Sequence, residues 1–268
     1  MLINVAFDSR FREPLAQAGA IPPLVALVGA KHRVNASFAT WALSNLCLDH
    51  PQNRKRVREA GIAVPLVSTL GTAQSQDMLE KTLWLITNLT RDDKENRLQL
   101  SRAGIFAVLV ALLQEPPSYN IARNTCKALL NFLHEQSLHR QFVSAGGVPP
   151  LVSMVESAAT PRELQLLAAM LLLDLTAFEA SVRQACLNAD VQIPVANFLL
   201  FFDCPELQIN AAMIISNLSL DDAAEVPLLK SGCVYDLAQL FDSTEDKVVK
   251  EAVTALAGLS CFPAACDE

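Results

Sequence analysis

The sequence predicts an all-α protein in which about six three-helix repeats stack into a solenoid. A pattern of Asn, then Arg nine residues later and Gly sixteen residues later, returns along the whole chain. Self-similarity at a fixed period of about 43 residues is the signature of a repeat architecture. The chain is also rich in Ala and Leu, which favour helix, and contains only nine Gly in 268 residues.

The period divides the chain into repeats with no separate domain or linker. The positions that match the Asn are spaced by 43 residues four times and by 41 residues once; they are Asn45, Asn88, Asn131, Asp174, Asn217 and Gly258. The predicted repeats span approximately residues 9–48, 49–91, 92–134, 135–177, 178–220 and 221–262. Residues 1–8, with Asn4 at the Asn position, are predicted to be the remnant of a preceding repeat. Such an incomplete end would expose apolar surface that could serve self-association.

The first helix of each repeat is predicted to be short, to carry the Arg and to end in a sharp turn. The matching Arg positions are Arg12, Arg54, Arg97, Arg140 and Arg183. Gly permits the left-handed conformation that such a turn needs, and Asp tolerates it better than most residues. The predicted turn positions are Gly19, Gly61, Gly104, Gly147, Asp190 and Gly232.

The second helix follows the turn, as in "IPPLVALV" and "VPPLVSMV". Its prolines are predicted to lie in the first helical turn, where a missing N–H costs little; they are Pro22, Pro23, Pro65, Pro149, Pro150 and Pro194.

The third helix is predicted to be longer and to carry the Asn. Positions six and two before the Asn and one after it cluster on one apolar face, as Ala39, Leu43 and Leu46 do in the first repeat. The Asn position and the position four before it lie roughly 150° away from that face. We therefore expect these two positions to line a surface.

That second stripe is predicted to bind a partner. An Asn amide can donate and accept hydrogen bonds at once, so a row of Asn could hold the backbone of an extended peptide. Trp side chains beside it could hold aliphatic or cationic side chains. The predicted partner-binding residues are Trp41, Asn45, Trp84, Asn88, Arg123, Lys127, Asn131, Met170, Asp174, Met213 and Asn217. The alternative is that the Asn residues bond only between neighbouring third helices.

The recurring elements "NR", "EAG" or "SAGG" followed by "VPPLV", and "ATWALSNL" resemble the armadillo repeat family. The resemblance covers essentially the whole chain. It implies a right-handed α-α superhelix of three-helix repeats whose third helices line a concave groove. Importin-α-type receptors of this family hold basic signals with a Trp–Asn arrangement similar to "ATWALSNL" and "TLWLITNL". This chain departs from that arrangement at Lys127, Met170 and Met213, which replace Trp.

The function expected from this resemblance is a non-catalytic scaffold or adaptor that binds protein or extended peptide segments. A transport adaptor for basic localisation signals is the first alternative, and a regulatory module for a GTPase or a chaperone is the second. No catalytic, cofactor or metal motif is recognisable, so no enzyme, cofactor or metal site is expected. The run "RKRVR" at 54–58 is interpreted as a solvated helix face. Asp92, Asp93, Asp221 and Asp222 are interpreted as capping residues or solvated loop charges.

The net charge of −7 argues against direct binding of nucleic acid. Its distribution is uneven, with +5 on residues 1–134 and −12 on residues 135–268. No apolar run reaches about 18 residues, so no transmembrane segment is expected, and membrane association would need other segments or partners. Seven scattered cysteines suit reduced thiols, which favours a cytoplasmic location, with the nucleus as the alternative.

Overall fold

The computed structural model describes residues 8–30, 32–73 and 75–262. The predicted N-terminal remnant with Asn4 falls, apart from Asp8, outside the described residues. Within the described ranges the chain forms eighteen α-helices, three short 3-10 helices and no strand. Contacts divide the chain into two compact units, Met1–Gln141 and Phe142–Glu268, here called the N-unit and the C-unit.

The helices follow the predicted order of three per repeat. The first two repeats contain α1 (Ser9–Gln17), α2 (Ile21–Val28), α3 (Arg33–Cys47), α4 (Pro51–Glu59), α5 (Ala63–Thr72) and α6 (Gln76–Thr90). The next two contain α7 (Lys94–Arg102), α8 (Ile105–Gln114), α9 (Tyr119–Leu133), α10 (His139–Ser144), α11 (Val148–Glu156) and α12 (Arg162–Thr176). The last two contain α13 (Ala180–Asn188), α14 (Gln192–Phe198), α15 (Pro205–Leu218), α16 (Glu225–Lys230), α17 (Cys233–Gln239) and α18 (Asp246–Leu259).

Short polar side chains fix where several of these helices begin. Ser75 accepts a hydrogen bond from the backbone N–H of Met78 at the start of α6, and Ser118 caps α9 in the same way. The predicted prolines lie in the first turn of the second helices, as Pro22 and Pro23 do in α2. Capping and proline placement thus hold the three-helix pattern in the register that the sequence predicts.

The left-handed turns between first and second helices are confirmed in five repeats and shifted in one. Gly19, Gly61, Gly104, Asp190 and Gly232 all have positive φ. In the fourth repeat the prediction of Gly147 was wrong, because the left-handed residue is Gly146, with φ of 80°. Gly147 is instead the N-cap of α11, with φ of −75°.

The apolar face of the third helices forms the core, as predicted. Its three positions per repeat are buried in every repeat except at Leu256, which is half-buried. In the N-unit α3 packs on α6 and α6 on α9; in the C-unit α12 packs on α15 and α15 on α18. Within each unit, stacking of third helices therefore buries a repeat against its neighbour.

A second Asn row, which sequence reasoning missed, joins the first and third helices of the N-unit. Asn53 Nδ2 donates to the carbonyl oxygen of Leu46 at 2.9 Å, and Asn96 Nδ2 donates to that of Leu89 at 3.0 Å. Both bonds satisfy carbonyl groups at the C-terminal end of a third helix, where intrahelical donors run out. The 43-residue spacing of these Asn residues was the available signal.

The basic run at 54–58 is not a solvated face, which corrects the sequence interpretation. Arg54 is buried. Arg56 Nη1 lies 2.7 Å from a Glu13 carboxylate oxygen, and the Arg58 guanidinium lies 2.9 Å from the Asp93 carboxylate. The hydrogen bond from Arg56 lowers the pKa of Glu13 to about 2. These arginines therefore tie the second repeat to its neighbours on both sides.

Asp221 is likewise not a solvated loop charge. Its carboxylate accepts hydrogen bonds from Arg183 Nε at 2.5 Å and from Arg183 Nη2 at 3.0 Å. The predicted row of first-helix arginines thus has an ion-pair partner in the C-unit that the sequence interpretation did not assign.

No single helix among the described residues combines the length and hydropathy needed to cross a bilayer. Of the described helices, only α7 and α8 counted as one segment reach that length and hydropathy, and the chain bends by 82° between them.

Candidate functional site

The third helices of the N-unit present one row of side chains four residues before the predicted Asn row. The row consists of Trp41 on α3, Trp84 on α6 and Lys127 on α9, and is called here the tryptophan strip. Trp84 is 52% exposed and Lys127 is exposed, whereas Trp41 is half-buried. Three of the predicted binding residues therefore lie at corresponding positions of three successively packed helices.

The two tryptophans differ in exposure because a lysine covers only one of them. Lys81 Nζ lies 5.2 Å from the centroid of the Trp41 ring, within the range of a cation–π contact. The residue 43 positions after Lys81 is Asn124, whose short neutral side chain cannot supply a cation to Trp84. The Trp84 ring is accordingly the more open of the two.

Lys81 is held in place by neighbours as well as by the Trp41 ring. Its Nζ lies 2.7 Å from an Asp77 carboxylate oxygen and donates to Ser37 Oγ at 3.0 Å. Its side chain is only 18% exposed. A protein cation, fixed by three partners, therefore occupies the Trp41 face.

The Asn residues beside the strip lie deeper than the sequence predicts. Asn45 and Asn88 are buried, and Asn131 is half-buried. Asn88 Nδ2 donates to the carbonyl oxygen of Ser44 at 3.2 Å and to Ser44 Oγ at 3.0 Å. Asn131 Nδ2 donates to the carbonyl oxygen of Thr87 at 3.0 Å. The expectation that Asn45 and Asn88 line the surface was therefore wrong, since both are buried, and the Asn88 amide is bound to the neighbouring third helix α3.

The Asn88 and Asn131 amides use their donors to join neighbouring third helices, as the alternative interpretation of the Asn row anticipated. The acceptor of the Asn88 amide, Oδ1, is buried and has no hydrogen-bond partner among the described residues. The Asn row thus sets the spacing of the helices that carry the tryptophan strip.

We expect Asn88→Ala to lower the free energy of unfolding by about 1–2 kcal/mol, because it removes both bonds to Ser44 in a buried contact. Asn120→Ala, at an exposed position on α9, is the matched control and should change stability by less than about 0.5 kcal/mol. Urea denaturation followed by circular dichroism gives both values. Equal stability of the two variants would mean that the Asn88 bonds contribute nothing net.

The strip has an apolar extension that sequence reasoning did not identify. Val34 and Phe38 on α3 are 56% and 49% exposed. Together with Trp41 they follow the i, i+4, i+7 spacing that places side chains on one helix face. That spacing in "VNASFATW" was the signal that could have revealed them.

The other end of the strip is cationic. Arg123 and Lys127 lie on α9, and the Arg123 guanidinium lies 5.9 Å from the centroid of the Tyr119 ring. The sequence of α9 contains no Asp or Glu. The face of the N-unit therefore changes from apolar on α3 to cationic on α9.

The corresponding face of the C-unit is different in character. Met170 is exposed, and Met213, Asp174 and Asn217 are half-buried. Asn217 Nδ2 donates to Thr176 Oγ1 at 3.3 Å, which repeats the bonding of the N-unit. At Gly258 a Cβ would lie 2.3 Å from Ser219 Oγ, so close packing of α18 on α15 explains why the Asn row ends there.

Known proteins share the fold of this chain but little of its sequence. No family model matches the chain. A segment of 77 residues is 32% identical to Vacuolar protein 8 of Candida albicans and covers 29% of this chain and 13% of that protein. This chain therefore spans a small part of that relative.

Three solved structures are similar over most of the chain. The designed armadillo repeat protein YIII(Dq)4CqI is 23% identical, with a TM-score of 0.79 over 89% of this chain and 99% of that one. The designed armadillo repeat protein YIII(Dq.V1)4CPAF, solved in complex with the peptide (KR)4, is 22% identical, with a TM-score of 0.81 over the same shares. An engineered protein from a structural genomics consortium is 27% identical, with a TM-score of 0.86 over 98% of this chain and 63% of that one. The resemblance deduced from the recurring motifs is confirmed, and the chain has the all-α armadillo-repeat fold.

Proposed function

We propose that this chain is a non-catalytic scaffold that binds an extended segment of a partner protein on the third-helix face of the N-unit. The observation that carries the proposal is the exposed Trp84, placed in register with Trp41 and Lys127 on packed helices. A peptide as the ligand is supported by the similar designed armadillo repeat protein that was solved in complex with the peptide (KR)4.

The dimensions of the face suit an extended chain. Packed helices lie about 8–10 Å apart, and an extended peptide rises about 3.3 Å per residue. Each third helix would thus meet roughly three peptide residues, and α3, α6 and α9 together would meet roughly nine. Trp84 is the natural anchor, because a large rigid ring gains contact area at low conformational cost.

In this proposal the Asn row does not contact the ligand but holds the helices that carry the site. Asn88 and Asn131 bind neighbouring helices through their Nδ2 atoms, so their main contribution is to hold α3, α6 and α9 at fixed spacing. The ligand contacts fall instead to Trp41, Trp84 and Lys127.

A direct test uses the protein's own fluorescence, because both tryptophans of the chain belong to the strip. Peptides of about ten residues are selected by display against the full chain. Binding of a selected peptide should shift the tryptophan emission, and Trp84→Ala should weaken that binding by about 2 kcal/mol, roughly 30-fold. Because Trp84 is exposed, the melting temperature of the Trp84→Ala variant should stay close to that of the wild type.

Tyr235→Ala is the control for loss of an exposed aromatic ring, since Tyr235 is exposed on α17 in the C-unit. It should bind the selected peptide like the wild type. The proposal fails if selected peptides bind Trp84→Ala normally. It also fails if Trp84→Ala melts like a core deletion, which would cost about 3–5 kcal/mol.

A transport adaptor for basic signals is the second candidate. The two Trp–Asn pairs in α3 and α6 favour it, because this is the arrangement that the resemblance associates with basic peptides. Lys81 opposes it, because its cation already occupies a face of the Trp41 ring. The cytoplasmic location stays a prediction.

A further inference from the structure

The third helices of the N-unit carry more cations than carboxylates. Across α3, α6 and α9 the cations are Arg33, Lys81, Arg123 and Lys127, and the carboxylates are Asp77 and Glu80. Asp77 is already paired with Lys81 at 2.7 Å. By sequence α3 therefore carries +1, α6 carries −1 and α9 carries +2, so the positive charge of the three helices is greatest on α9.

The Trp41 ring is closed to a ligand cation. Lys81 stacks on it and is bound at the same time by Asp77 and Ser37. An incoming Lys or Arg would have to displace Lys81 from three partners before it gained the ring. The arrangement that would accept a basic side chain is thus already filled by the chain itself.

The Trp84 ring is open but lies beside the cationic helix. Its row continues to Lys127 on α9, with Arg123 on the same helix. A ligand cation over Trp84 would gain the ring and the Glu80 carboxylate one helical turn before it, but it would also approach the two cations of α9, which oppose it. An apolar side chain gains the same ring without that repulsion, and nearby carboxylates would gain from Lys127.

The α3 end of the face selects for apolar groups. Val34 and Phe38 are about half exposed on the stripe that contains Trp41. α3 carries no carboxylate, and its one cation is Arg33 at the N-terminus. Exposed apolar clusters of this kind mark contact sites.

We infer that the segment bound by the N-unit is an extended peptide with bulky apolar side chains over α3 and α6 and carboxylates over α9, not a basic signal. The inference rests on the proposed function, since it specifies the ligand of the same face. It gives Lys127, the residue that replaces the expected third Trp, a role in choosing the ligand.

Two labelled probe peptides of about ten residues test this inference by fluorescence anisotropy with the full chain. One carries Phe and Leu in one half and Glu and Asp in the other; the second alternates Lys and Arg. We expect the acidic–apolar probe to bind at least about tenfold more tightly. Lys127→Glu should weaken its binding by about tenfold and strengthen that of the basic probe.

Lys55→Glu is the matched control, because Lys55 is exposed on the first helix α4 and the substitution makes the same change in net charge. It should leave the affinity for the acidic–apolar probe within about twofold, since exposed charges away from the site are screened. The position of Lys127, rather than the total charge, would then be responsible for the preference.

Several results would overturn the inference. Tighter binding of the basic probe, with a shift in tryptophan emission, would refute the ligand class but leave the proposed face intact. Equal effects of Lys127→Glu and Lys55→Glu would refute the role of Lys127. Failure of both probes would also refute the ligand class, and the display selection against Trp84→Ala then decides separately whether the face binds peptides at all.

Discussion

Gly147→Ala is expected to lower the free energy of unfolding by about 3 kcal/mol, at the upper end of what overpacking usually costs. A Cβ at this position would lie 2.2 Å from Phe142 Cζ and 2.4 Å from Cε2. The Phe142 side chain is fully buried, so its ring cannot retreat without displacing the core of the fourth repeat. Chemical denaturation of the full chain measures the loss.

The neighbouring glycine provides the control. Gly146 has φ of 80°, but a Cβ there would meet nothing within 4 Å. Gly146→Ala should therefore cost only the strain of the left-handed conformation, about 1 kcal/mol. Phe142→Leu in the Gly147→Ala background should recover part of the loss by removing the ring. A larger loss for Gly146→Ala than for Gly147→Ala would show that backbone conformation, not the contact with Phe142, dominates at this turn.

This pair of glycines shows how far the repeat pattern predicts the fold. The 43-residue period, the apolar face of the third helices and the proline positions all followed from spacing, and the structure reproduces them. Spacing alone selected Gly147, which lies 43 residues after Gly104, whereas the left-handed residue is Gly146 and Gly147 is packed against the ring of Phe142.

The candidate site shows a second limit. An angle of roughly 150° from the repeat's own core predicts correctly that Trp84 is exposed. The same argument placed Asn88 on the surface, whereas Asn88 is buried against Ser44 of the preceding repeat. Helical periodicity describes one helix, so it cannot tell solvent from a neighbouring third helix.

Side-chain length limits the prediction in the same way. The periodicity gives Trp41 and Trp84 equivalent positions, but only Trp41 is covered, by Lys81. Contact between Lys81 and Trp41 depends on how far a lysine reaches from the next helix, which no single-helix pattern contains. The ligand preference inferred for the N-unit therefore follows from how its helices pack and not from the periodicity of any one helix.

Arg183→Met is expected to destabilise the chain by about 3 kcal/mol, because it removes one partner of a largely buried ion pair. The Arg183 side chain is 9% exposed and donates from Nε and Nη2 to Asp221. Its Nη1 also donates to the carbonyl oxygen of Phe178 at 3.1 Å. The Asp221 side chain is 20% exposed. Without Arg183 its carboxylate would lose its cation and the two hydrogen bonds that Nε and Nη2 donate to it.

Arg162→Met is the matched control for loss of an arginine in the C-unit. The Arg162 guanidinium lies 3.8 Å from the Asp203 carboxylate and 4.2 Å from the centroid of the Phe201 ring, and its side chain is exposed, so the change should cost about 1 kcal/mol. Denaturation midpoints and slopes of both variants give the comparison.

A double variant separates the lost attraction from the stranded charge. If the cost of Arg183→Met comes mainly from leaving Asp221 uncompensated, then adding Asp221→Asn should restore part of the stability. Further loss in the double variant would mean that Asp221 is bound by other groups and that Arg183 acts chiefly through Phe178. Sequence reasoning could place Arg183 in its row but not find this partner, because Asp221 lies 38 residues away, outside the 43-residue register.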